Sequence, residues 1–94
     1  MSEVPEERAR KYVISIEKVL NRMEFTNTFS SIDKRSIQHV VDTVHSYVDD
    51  AKHYLQDRPS TALAAISYAE GLLDALRLLG LVRFAWPDAR DDEH

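Results

Sequence analysis

Between Pro59 and Gly80 the chain reads STALAAISYAEGLLDALRLL, and after its first two residues only Ser67, Glu70, Asp74 and Arg77 are strongly polar. On a helix turning ~100° per residue those four fall on one narrow stripe, and apolar or small side chains cover an arc of roughly 220°. A helix lying on a protein surface needs an apolar arc of only about 100°. A helix this apolar must sit at the centre of a bundle, contact two neighbours, and have apolar surface left over. Gly71 stands in its middle, where glycine costs ~1 kcal/mol relative to alanine. With Ala64 and Ala75 it makes a small-residue face that lets another backbone approach closely.

Two further stretches supply the neighbours. Ala9, Tyr12, Val13, Ile16, Val19, Leu20 and Met23 recur at spacings of three and four, one stripe of a helix. Ile14 lies off that stripe and calls for a second contact. Ser2, Pro5, Glu6 and Glu7 read as the helix start, with proline in the first turn and acids at the positive end of the dipole. Ile37, Val40, Val41, Val44, Tyr47, Val48, Ala51, Tyr54 and Leu55 form the stripe of another helix, capped by Ser31 or Asp33. Thr26 to Ser31 has loop composition, and Phe25, Phe29 and Ile32 are expected to fold back onto the bundle end. Asp57-Arg58-Pro59-Ser60 is too short a link for anything but an antiparallel hairpin. Gly80 suits a left-handed residue closing the last helix. Beyond it Val82, Phe84 and Trp86 alternate, as along one side of an extended segment.

The expected architecture is therefore all-α: an up-and-down antiparallel three-helix bundle with a short extended C-terminal segment packed on it. Residues 1–94 form a single domain with helices over about 5–23, 34–56 and 60–79 and a frayed tail over 88–94. The two glycines and three prolines are too few for the many turns of a β-sandwich. The 44% hydrophobic and 30% charged residues place the chain among folded rather than disordered proteins.

Charge and composition narrow the function. The net charge is −4 and the pI about 5.5, and Lys and Arg are dispersed among acids. Nucleic acid is disfavoured, since duplex binding uses a basic stripe. With no cysteine there is neither a disulfide nor a thiolate metal site. No apolar run reaches the ~18 residues of a membrane span, and Met1 to Lys11 lacks a signal-peptide core. The expected location is the cytoplasm.

Few residues suggest chemistry. Glu70 and Asp74 are four apart on one helix face, a spacing at which two carboxylates can hold Mg²⁺ or Mn²⁺. The plainer reading makes them the solvent face of the helix, with Arg77 offsetting their repulsion. His45, Asp49 and His53 also step by four, but the wheel turns them to water beside Asp42, as it does His39. Tyr12, Tyr47, Tyr54 and Tyr68 lie on or beside the stripes and read as core or rim. Phe84 and Trp86 either cap the bundle or form an exposed anchor for a partner. There is no Gly-rich phosphate loop, nucleophile elbow or HExxH. The sequence points to no catalytic residue, metal or cofactor.

Tyr54 to Asp57, and above all Ala62 to Leu81 with its core Tyr68 to Leu81, resemble a family of short archaeal proteins known only as domain of unknown function number 357. Asp49-Asp50-Ala51 and Phe84 to Trp86 fit the same pattern. The resemblance implies a three-helix up-and-down bundle in an archaeal cytoplasm, with no assigned catalytic residue. It makes Tyr68, Glu70, Gly71, Asp74 and Arg77 the positions to suspect.

Two functions emerge. In the first the domain is an interaction or assembly module, contacting another protein or a second copy of itself through the surplus surface of the third helix, Phe84 and Trp86. In the second it is a Mg²⁺- or Mn²⁺-dependent nucleotide- or small-ligand-binding domain using Glu70 and Asp74. All-α nucleotide pyrophosphohydrolases set acids on at least two helices around one cavity. Here the second set would be Asp49 and Asp50, which the wheel turns away from the stripe.

Overall fold

The structure is a computed structural model that describes residues 4–26 and 32–87. Three helices, α1 (Pro5–Arg22), α2 (Lys34–Tyr54) and α3 (Pro59–Leu78), form an antiparallel up-and-down bundle. Two short strands, β1 (Glu24–Phe25) and β2 (Val82–Arg83), pair antiparallel at one end, with Glu24 opposite Arg83 and Phe25 opposite Val82. The expected extended C-terminal segment is thus present, and it has a partner strand in Glu24–Phe25, where the sequence predicted none. Two residues are too few to show an alternation in sequence.

Each helix buries its stripe. Ala9, Val13, Ile16 and Val19 of α1 meet Val44, Val48 and Ala51 of α2 and Ala62, Ile66, Ala69 and Leu73 of α3 in one core. A second cluster of Ile37, Val41, Leu76, Leu81 and Val82 fills the end that the strands close. α3 packs extensively on both α2 and α1, which touch each other little, so it is the central helix. Ala62 and Ala69 are fully buried. These alanines, not Ala64, Gly71 and Ala75, let the neighbouring helices close in. Burial of side chains such as Ile66 and Leu73 contributes roughly 1.5–3 kcal/mol each.

The helix ends follow local chemistry. Pro5 opens α1 after an extended Val4 that makes no side-chain cap; Ser2 lies outside the described residues. Asp33 caps α2, its Oδ1 accepting from the Ser36 amide at 2.8 Å, and Ser31 lies outside the described residues. α2 ends at Tyr54, two residues before the expected limit, because Leu55 to Asp57 turn toward Pro59. Arg58 has φ −138° and ψ 69°, outside the helical region that a following proline disfavours. At the other end of α3, Gly80 has φ +75°. Its amide donates to the Arg77 carbonyl at 2.9 Å, and the Leu81 amide donates to Leu76 at 3.0 Å. This is a Schellman closure, and Leu81 and Leu76 share the second cluster.

Two expectations need correction. Ile14 is exposed and finds no second contact in the core. Phe25 and Ile32 do not fold into the bundle end: they remain 50% and 39% exposed, because Leu81 and Val82 already fill the space beneath. Phe29 and the tail from Asp88 to His94 lie outside the described residues.

Candidate functional site

The suspected residues divide between two surfaces of α3. Asp74 organises the first. Its Oδ1 accepts from Nε and Nη2 of Arg77, one turn on, at 3.0 and 2.8 Å. The same oxygen accepts from the indole Nε1 of Trp86 at 3.2 Å. The Arg77 hydrogen bond, then that from Trp86, holds the Asp74 carboxyl below its ordinary value. Trp86 is brought there by the alternation of β2 and the residues after it: Val82 is buried, Arg83 and Ala85 are exposed, and Phe84 and Trp86 are half-buried against the core. The Phe84 and Trp86 rings meet edge to face with centroids 4.9 Å apart. These aromatics seal the bundle rather than project as an anchor.

Glu70, Asp74 and Arg77 are all half-buried, so they form an edge of α3 and not its solvent face. Glu70 takes no part in the Asp74 pairing. Among the described residues no three of His, Cys, Asp and Glu come together as a metal site would require. His39, His45 and His53 are exposed. His45 and Asp49 line a shallow groove of about 130 Å³ with Glu17 and Asn21. Lys52 bonds Glu17 at 2.9 Å, tying α2 to α1.

The second surface is the one α3 turns to solvent. Ala64, Ser67, Tyr68, Gly71, Ala75 and Leu78 are all exposed. Ala64, Gly71 and Ala75 fall within ~40° of one another on the wheel and mark its centre. Leu78, Leu79 and Tyr68 are 72%, 64% and 51% exposed. Tyr68 leans its ring on Tyr47 of α2, centroids 4.6 Å apart. No acidic or basic residue lies within this face. Apart from its own helix backbone and chain neighbours, a Cβ built at Gly71 would meet nothing within 4 Å, so among the described residues nothing uses the close approach that glycine allows. The wheel showed the excess apolar arc but not which part of it α1 and α2 would leave bare.

A cleft of about 260 Å³ at the strand end, lined by Phe25, Thr26, Lys34, Ile37, Gln38 and Leu81, had no signal in the sequence. It arises because β1 pairs with β2 beside the start of α2, a tertiary event. Among the described residues no helix is long and apolar enough to cross a membrane.

No curated protein matches this chain, and no solved structure does. The pattern of the family described as "Protein of unknown function (DUF357)" matches residues 11–82, which covers all of α2 and α3 and the Asp74–Arg77 pair, and the chain belongs to that family.

Proposed function

We propose that the domain is a protein interaction or assembly module of an archaeal cytoplasm whose contact surface is the solvent-facing side of α3. The observation that carries this reading is the uncharged face centred on Ala64, Gly71 and Ala75 and bordered by the exposed Tyr68, Leu78 and Leu79. Apolar side chains grouped on one face mark contact sites far more than apolar side chains exposed singly. Tyrosine on that face adds a residue enriched among binding hot spots. The partner is another protein or a second copy of the chain.

The alternative, Mg²⁺ or Mn²⁺ held by Glu70 and Asp74, is supported only by their spacing. Oδ1 of Asp74 already accepts from Arg77 and Trp86, and the Arg77 guanidinium beside it repels a second cation from the remaining oxygen.

Affinity capture with the tagged domain tests the choice. A partner held by the wild type and by Asp49→Arg, but lost by Ala75→Arg, supports the α3 surface. Equal retention by all three baits removes that surface from the interaction. A rise in melting temperature with millimolar Mg²⁺, lost in Glu70→Gln, would favour the alternative.

A further inference from the structure

We infer that the partner of the α3 face is a second copy of this chain, packed antiparallel about a two-fold axis that passes between Gly71 and Ala75. The inference rests on that face being a contact surface and names its occupant.

The face matches itself in that arrangement and in no parallel one. Its two borders differ. Ser67 and Asp74 line one side of the Ala64–Gly71–Ala75 centre, and Tyr68, Leu72 and Leu79 line the other. An antiparallel two-fold sets each border against the same border of the second copy, whereas a parallel pair would set the apolar border against the polar one. Leu72 then meets Leu72 beside the axis. On the polar side Asp74 does not face its copy as a bare carboxylate, because Arg77 and Trp86 already bind it.

Size complementarity agrees. Tyr68, Gly71, Ala75 and Leu78 step by three, four and three, the spacing of a helix–helix seam. With the copies antiparallel, Gly71 lies on Ala75 of the second copy and Tyr68 on Leu78, each pair occurring twice, as an isologous interface requires. The small pairs beside the axis let the helices close to the ~8 Å end of the usual range, and the large pairs fill the flanks. The open space beside Gly71 is where the second α3 enters. No like charges meet across the centre, since the face carries none.

The area sets the strength. About ten residues a side, at the ~30–40 Å² per residue of a standard interface, bury on the order of 400 Å² per copy, half of what a stable complex of standard size buries. An interface of that size is expected to hold a reversible dimer rather than an obligate one.

Sedimentation of the full chain from ~1 µM to ~1 mM tests this, and the absence of cysteine lets disulfides report the geometry. Mass is expected to double across the range, and Ala75→Arg to remain monomeric with unchanged helical circular dichroism. Gly71→Ala, which the monomer tolerates, is expected to raise the dissociation constant several-fold while raising the melting temperature at low concentration. Under mild oxidation Tyr68→Cys/Leu78→Cys is expected to cross-link into a dimer and neither single variant to do so. Cross-linking by the single variants would show a parallel pair and overturn the geometry. A dimer indifferent to Ala75→Arg would place the interface elsewhere. A monomer at 1 mM would overturn the second copy as occupant, yet loss of a captured partner by Ala75→Arg would still uphold the α3 face as a contact surface. That outcome separates failure of this inference from failure of the reading beneath it.

Discussion

Trp86 and Asp74 are joined by a 3.2 Å hydrogen bond from the indole nitrogen to the carboxylate. The bond fastens the segment after β2 to the C-terminal part of α3, and Arg77 shares the same oxygen. A residue twelve positions beyond Asp74 thereby helps fix the outer edge of the central helix.

This bond makes the C-terminal segment sensitive to acid. Arg77, then Trp86, lowers the Asp74 carboxyl below its ordinary 3.8. A carboxylate lowered on folding contributes stability that is fully present above its unfolded value and is lost as pH falls through the folded one. The contribution is thus complete at neutral pH and disappears below about pH 4. Trp86 is the single tryptophan, so its fluorescence reads the event directly. An emission change below pH 4 is expected in the wild type. Asp74→Asn, which cannot ionise, should lack that step. A wild-type and variant titration of the same shape would mean that the bond does not hold the segment in solution.

The two glycines should respond oppositely to alanine. Neither would bring its new Cβ within 4 Å of another group, so the backbone alone decides. Gly71 is helical, and Gly71→Ala is expected to stabilise the monomer by up to about 1 kcal/mol. Gly80 has φ +75°, and Gly80→Ala should destabilise by about 1–2 kcal/mol. Urea denaturation at low protein concentration measures both. Two effects of the same sign would contradict the backbone assignment.

Leu73 is the largest test of the packing. It is fully buried among residues of all three helices, so Leu73→Ala removes apolar contact and leaves a cavity at the bundle's centre. A loss of about 2–5 kcal/mol is expected, large against the total stability of a chain this small. Leu79→Ala, at an exposed site, should change monomer stability by less than about 0.5 kcal/mol. Chemical denaturation of the two variants gives the comparison.

The bundle was legible because its signals are local. The stripes Ala9 to Val19, Ile37 to Ala51 and Ala62 to Leu76 repeat at the helical period, and Pro59 and Gly80 mark boundaries by backbone chemistry alone. The β1–β2 pair was not, because Glu24 and Phe25 acquire strand geometry only by meeting Arg83 and Val82 from the far end of the chain. The site was half legible. Tyr68, Glu70, Gly71, Asp74 and Arg77 are grouped by sequence, but their roles depend on rotation about the α3 axis. That rotation turns Gly71 outward and leaves Glu70 at an edge. No feature of Asp74 announced Trp86 as its partner, since their approach depends on the Schellman turn at Gly80.

That turn is also held from outside α3, which yields the last prediction. Thr26 follows β1 and donates its hydroxyl to the Gly80 carbonyl at 2.8 Å, while its amide donates to Leu81 at 3.1 Å. One residue thus ties the chain leaving α1 to the closure of α3, across a separation of 54 positions. Thr26→Val keeps the side-chain shape and removes the donor, with an expected loss of about 1 kcal/mol. Thr26→Ser keeps the donor and should retain most of that stability. In native-state hydrogen exchange the Leu81 amide, bonded to Leu76 within the turn, should lose protection in Thr26→Val more than amides in the middle of α2 do. Equal loss across the bundle would show that the hydroxyl acts on global stability and not on this closure, and an unchanged Thr26→Val would show that the bond contributes nothing.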